Sequence, residues 1–228
     1  MDKFINRLKY YGIGFGFGLV FVFFFFQNRG CAWLPSNRVK NSILDRVLTL
    51  SEEDEKTLKN NGIRTTDIIS LLNEGTVNFD KSKKEGPYKV YHLSNNTLKF
   101  YFILPKEAFT CEVKFAKMPL KDVKPSEIGF GKLIHFPMDD DLIFVDTNDI
   151  LTCQMSELNF INQRLILTSL KKNGKIDYKN SNLYANPKPI VSLIFKAKND
   201  SLINAKAIWY KNKINIIKLN IPFQTKCN

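Results

Sequence analysis

The chain reads as an α+β protein: an N-terminal transmembrane helix followed by two tandem helix–Gly–antiparallel-sheet repeats. Three observations predict this. Residues 10–28 form an uncharged apolar run, "ISLLNEGTVNFDKS" at 69–82 returns 99 residues later as "TSLKKNGKIDYKNS", and four cysteines stand in pairs around the two copies.

The apolar run is "YYGIGFGFGLVFVFFFFQN". Its length, at ~1.5 Å per helical residue, spans ~28 Å, close to the hydrocarbon thickness of a bilayer. Lys3, Arg7 and Lys9 precede it, and Tyr10 and Tyr11 suit the first interface. The lipid bilayer is therefore the expected partner of residues 10–28, with 1–9 as a cytoplasmic tail and 29–45 as a juxtamembrane segment. Two alternatives stay open. A cleaved signal peptide needs small residues at its cleavage site, where "FFFFQNRGC" has bulky ones. A lipoprotein needs a small-residue box before Cys31, where Gly30 fits but Asn28 and Arg29 do not. Gly12 with Gly16 and Gly14 with Gly18 form overlapping G-x-x-x-G pairs, which let helices approach closely in lipid. A homodimer through that face and a merely glycine-rich span are both consistent with them. The same glycines do not make a dinucleotide loop, because the G-x-G-x-x-G spacing and a preceding strand are missing.

The recurrence aligns on Gly75 and Gly174. Ser70 falls on Ser169, Leu71 on Leu170, Val77 on Ile176, Asn78 on Asp177, Phe79 on Tyr178 and Ser82 on Ser181. Each copy predicts a short helix, a glycine in the left-handed conformation that ends it, then a strand with alternate residues on one face. With one residue inserted, Pro87 matches Pro187, each before a β-rich segment, and "LTLSEEDE" at 48–55 sits where "LTCQMSEL" sits at 151–158. This gives units at 46–117 and 130–228, joined by the Pro- and Gly-bearing linker "MPLKDVKPSEIG" at 118–129. Chance recurrence of a common turn is the alternative. Helices are expected near 52–60, 66–73, 156–160 and 164–172. Strands are expected near 76–79, 88–93, 97–104, 110–116, 132–136, 142–145, 175–178, 190–196, 203–210 and 213–219. Ser51, before three acids, reads as a helix cap.

Cys31 and Cys111 bracket the first unit, and Cys153 and Cys227 the second, at separations of 80 and 74 residues. Four cysteines allow three pairings. The repeat favours Cys31–Cys111 and Cys153–Cys227, each contributing on the order of 3–4 kcal/mol in the chain-entropy model. Four buried free thiols are the alternative, and the close-spaced pairs of a zinc site are missing. Bonded cysteines imply an oxidising compartment. That breaks a near-tie in flanking charge and predicts a single-pass inner-membrane protein with its C-terminal region periplasmic.

The net charge is +12, but residues 164–228 hold thirteen basic residues against Asp177 and Asp200 alone. The second unit is therefore expected to meet an anionic or protein partner. Lysines number 28 and arginines six, which disfavours nucleic acid, since bidentate recognition of phosphate and bases uses arginine. A solvated lysine surface is the plainer reading.

Catalysis finds little material. His92 in "VYHL" and His135 in "LIHFP" read as strand residues. Asp139, Asp140 and Asp141 lack the spaced ligands of a calcium loop, and Asp146 and Asp149 suit turns and caps. No cofactor, metal site or catalytic residue is assigned, and binding is expected rather than enzymatic turnover.

"CAWLPSNRVKNSIL" directly after the span, "DIISLLNEGTVNFDKS", "YKVYHL" and the cysteine of "TCEVKF" together resemble small bacterial envelope proteins of the domain of unknown function 4258 type. The resemblance covers roughly residues 1–117, the second unit looking like a divergent copy. It implies a bacterial membrane-anchored protein and carries no activity of its own. Through a relation to nuclease-toxin folds, it also implies a phosphodiester-cleaving enzyme as the competing function.

Overall fold

A computed structural model describes residues 2–27, 34–137, 143–145, 150–157, 163–185, 188–196, 201–210 and 213–220. It divides into two compact units, Met1–Arg38 and Val39–Asn228. The first is dominated by helix α1, Asp2–Gln27. Within α1 the stretch Arg7–Phe24 is long and apolar enough to cross a membrane, and none of it is buried. Gly12, Gly14, Gly16 and Gly18 have open space where a Cβ would stand. Helix α2, Pro35–Leu44, begins at the end of this unit.

The second unit is mixed α and β, built on one sheet of eleven strands. Strand β1 is Val47–Ser51, followed by α3, Glu52–Asn60, and α4, Thr65–Glu74. Then come β2 Thr76–Lys83, β3 Tyr88–Ser94, β4 Lys99–Pro105, β5 Thr110–Phe115 and β6 Phe130–His135. Strand β7 is Ile143–Val145, followed by α5, Ile150–Glu157, and α6, Gln163–Asn173. The chain continues as β8 Lys175–Asn182, β9 Ile190–Lys196, β10 Leu202–Tyr210 and β11 Lys213–Asn220. The spatial order is β2-β3-β4-β5-β1-β6-β8-β9-β10-β11-β7. On either side of β6 the same succession appears, with β1 parallel to β5 and β7 parallel to β11 at the ends.

The local wiring also recurs. On β2, Asn78 pairs with His92 but Lys83 with Val90; on β8, Asp177 pairs with Ser192 but Asn182 with Ile190. A serine holds each bulge. Ser82 Oγ donates to Asn78 O at 2.5 Å and accepts from His92 N at 3.1 Å. Ser181 Oγ donates to Asp177 O at 2.6 Å and accepts from Ser192 N at 2.9 Å.

The helices cover opposite faces in the two halves. Leu48 and Leu50 of β1 pack with Ile43 of α2, Leu58 of α3 and Leu71 of α4, together with Phe100 and Phe102. Their neighbour Val47, pointing the other way as strand residues alternate, packs with Ile166 and Leu170 of α6, Leu193 and Trp209. The far face of the first half is covered by a strap, residues 116–129. There Val123 and Leu120, the latter in a 3-10 turn, pack on Val90, Tyr101 and Ile103.

Several expectations change. Gly75 is not left-handed: φ is −68° and ψ 168°, and Gly174 is likewise absent from the positive-φ glycines. Both are glycine because a Cβ would strike the carbonyl oxygen of Leu71 or Leu170, to which Gly75 N and Gly174 N donate at 2.8 and 2.7 Å. The left-handed glycine that follows a helix is Gly62, φ +66°, after α3. The strand β1 and helix α2 were not anticipated, and the fifth helix begins at Ile150 instead of 156. Ser51 does cap α3, its Oγ accepting from Asp54 N at 3.1 Å.

Candidate functional site

Beyond β6, helix α6 packs on one face of the half-sheet. On β10, Ile203, Ala205, Ala207 and Trp209 point into the core, so Asn204, Lys206 and Ile208 point out. Register then fixes two rows across the strands. Lys132 of β6, Lys175 of β8, Ile194 of β9 and Asn204 of β10 lie side by side. Phe130, Asp177, Ser192, Lys206 and Lys218 form the next row. A bulge between Lys206 and Ala207 leaves Ile217 unpaired and 53% exposed.

Where this face meets α3 there is a groove of about 630 Å³, lined by Glu52, Glu55, Phe130, Lys132, Lys172, Lys175, Ile194, Lys196 and Leu202 among others. Lys132 and Lys175 stand directly opposite each other, a repulsive arrangement in a sheet. Two carboxylates of α3 offset it: Glu55 accepts from Lys132 at 3.2 Å and Glu52 from Lys175 at 2.8 Å. Burial pushes the Glu55 carboxyl up, but Lys59 and Lys132 together outweigh it and hold the group below its ordinary value. Lys206 and Lys218 repeat the like-charge juxtaposition, and no carboxylate among the described residues pairs with either.

Around β6 the halves are sealed. The Tyr178 hydroxyl donates to Thr49 Oγ1 at 3.2 Å and lies over Gly131, where a Cβ would collide with it. Burial, with Glu112 nearby, keeps that hydroxyl neutral far beyond its ordinary range.

The histidines are not brought to this face. His92 sits on β3, buried, edge-on to Tyr101 with ring centroids 5.2 Å apart, its Nδ1 unsatisfied among the described residues. Burial, then Lys81 and Lys99, lower its pKa. The ring Nε2 of His135 is 3.2 Å from Leu44 O. Asp139, Asp140, Asp141, Asp146 and Asp149 lie outside the described residues, and among those described no three metal-binding side chains gather.

The cysteine pairing needs correction. Cys111 is a free thiol, fully buried on β5 among Leu48, Leu50 and Val113, so it does not bond Cys31. It packs as a small apolar group, and burial pushes its thiol pKa far up, away from reactivity. Cys153, on α5, is disulfide-bonded, and Cys31 and Cys227 lie outside the described residues.

No family model matches the chain, and neither the characterised proteins nor the solved structures include a significant match.

The lysine excess was visible in the sequence, but its assembly on one face was not. The alternation "INAKAIW" holds that signal, once the core side of β10 is known.

Proposed function

We propose that the chain is a membrane-anchored binding or assembly module whose second half engages an anionic partner through the open face of β8–β11. The observation that carries this reading is the Lys206–Lys218 pair, opposed across two strands with no described carboxylate, beside the lysine-rimmed groove. Neither histidine lines that groove, which favours binding over the phosphodiester-cleaving alternative.

The halves descend from one duplicated unit in this reading. The shared strand succession and the paired serine-held bulges support it. In the same reading α1 is a retained anchor in a bacterial inner membrane, free to dimerise through Gly12, Gly14, Gly16 and Gly18, and the globular unit is periplasmic. The oxidised state of Cys153 supports an oxidising compartment, and Cys227 is its proposed partner, being the cysteine that follows β11, the strand beside α5. The resemblance of residues 1–117 to the domain of unknown function 4258 supplies the bacterial envelope setting.

The test uses the full chain in neutral lipid nanodiscs, presented with polyglutamate, polyphosphate or phosphatidylglycerol vesicles. At least one polyanion binds, its affinity falls with salt, and Lys206→Glu with Lys218→Glu weakens binding by about tenfold or more. Equal binding by the charge-reversed protein, with its fold intact by circular dichroism, contradicts the proposal.

A further inference from the structure

The strap of the first half is tied to the sheet at its two ends and not between them. At one end Ala116 N donates to Lys99 O at 3.1 Å. At the other, Ser126 N and Oγ donate to Glu112 at 2.8 and 2.6 Å. Across 118–125 the backbone hydrogen bonds are internal, Asp122 N to Pro119 O at 3.0 Å and Val123 N to Leu120 O at 3.2 Å, and none among the described residues reaches the sheet. Pro119 and Pro125 have no N–H to offer. What holds this stretch down is apolar: Leu120 and Val123 pack on Val90, Tyr101 and Ile103. Val90 and Ile103 are 0% exposed beneath it.

His92 stands two residues along β3 from Val90, on the same side of the strand, and its ring meets that of Tyr101, its register partner on β4. The residue is 5% exposed, and Nδ1 has no hydrogen-bond partner among the described residues. On β2, Asn78 lies opposite it and Ser82 Oγ accepts from its backbone N–H. The charges that act on the ring are Lys81 of β2 and Lys99 of β4. Neither Asp80, beside Lys81, nor Lys121 and Asp122 of the strap's 3-10 turn, which lies against β2, is among them. An imidazolium here is desolvated, lacks an acceptor and faces two cations.

We propose that residues 118–125 are an acid-opened lid: protonation of His92 lifts them from the sheet between the anchors at Ala116 and Ser126, hydrates the ring and uncovers Val90, Tyr101 and Ile103. The lid is the cover that yields. Strand β3 is bonded to β2 and β4 on either side, whereas the lid gives up apolar contacts alone, and segments held that way open first. With the lid open the ring titrates near its ordinary value of about 6.5. With it closed, burial and then Lys81 and Lys99 hold the ring lower. Closure is therefore at full strength at neutral pH and weakens as pH falls below about 6.5. Glu112 works in the opposite sense. Burial, with Asp54 adding to it, holds its carboxyl above its ordinary value against the pull of Lys114 and Ser126. Acid relieves that buried charge and keeps the Ser126 anchor closed, so the trigger is His92.

The test keeps the full chain in neutral nanodiscs and compares hydroxyl-radical oxidation at about pH 7.5 and about pH 5.5, counted against exposed Leu202. A ring that titrates near about 6.5 only when the lid is open raises the open population by up to about tenfold over this range. Oxidation of Val90 and Ile103 rises with it. Phe100 and Phe102, on the opposite face of β4 and 0% exposed, stay protected at both pH values. His92→Gln abolishes the rise. Should that variant misfold, Lys99→Glu, at an exposed position, sets a carboxylate beside the ring in place of a cation and reduces the rise. Equal protection of Val90 and Ile103 at both pH values overturns the inference. A rise that persists in folded His92→Gln, or that Lys99→Glu leaves unchanged, overturns it too. So does a parallel rise at Phe100 and Phe102, which reports opening of the sheet instead of the lid.

Discussion

The two halves of the sheet share a strand succession and differ in what lies on the face away from their helices. In the first half Val90, Ile103 and Glu112 are sealed by Val123 and Ser126; in the second, Ile190, Ile208 and Asn215 hold the same register without such a seal among the described residues. Among the described residues, one strand plan is thus strapped in one half and not in the other. The difference lies in the segment that crosses it.

The seam between the halves is the most sensitive place to break this comparison. Gly131→Val forces a side chain into Tyr178 and Ile176, and overpacking of that kind costs on the order of 3 kcal/mol. Urea unfolding should show the loss as one lowered midpoint for the whole sheet. Two separate transitions would mean that β6 does not couple the halves.

Matched truncations sharpen the comparison. Val90→Ala, under the strap, should cost about 2 kcal/mol in urea unfolding, whereas Ile190→Ala should cost less than about 1 kcal/mol although more atoms are removed. Ser126→Ala removes one of the two hydrogen bonds that Ser126 gives to buried Glu112, which Lys114 also pairs with at 3.5 Å, and should cost roughly 1–3 kcal/mol. Equal costs at residues 90 and 190 would put both faces under equal cover.

Acid should strike the first half alone. The His92 pKa is lowered chiefly by burial, so the unfolded chain binds a proton that the folded one resists. Stability from this group is therefore full at neutral pH and declines as pH falls from the unfolded value of about 6.5. The Ser192 counterpart does not titrate there. His92→Gln should flatten the fall in melting temperature between pH 7 and 5; an unchanged slope would assign the acid sensitivity elsewhere. The smallest effect is expected at Asn215→Leu, a gain of about 1 kcal/mol in the free protein from removal of an unsatisfied buried acceptor.

Local chemistry was legible in the sequence. The uncharged run became α1, Ser51 became the cap of α3, and strands such as β3 and β9 fell within a residue or so of the alternating segments. Non-local geometry was not. "VLTL" is too short to show a period, yet becomes the strand between β5 and β6. "PSNRVKNSIL" buries only Val39 and Ile43 and has no strong apolar stripe. Gly75 and Gly174 look like helix stops by residue type, but a carbonyl in space explains them, and no sequence signal reports it. Cys111 was paired with Cys31 on the logic of the repeat, while its side chain is committed to the core by strand alternation. The lysine surplus of residues 164–228 was evident, but the site needs the pairing of β10 with β11 to set Lys206 against Lys218.

Hydroxyl-radical footprinting of the full chain, read residue by residue by mass spectrometry, tests the difference between the halves most directly. Ile190, Leu202 and Ile217 should oxidise readily while Val90 and Ile103 stay protected. Comparable oxidation of Val90 and Ile190 would contradict the account.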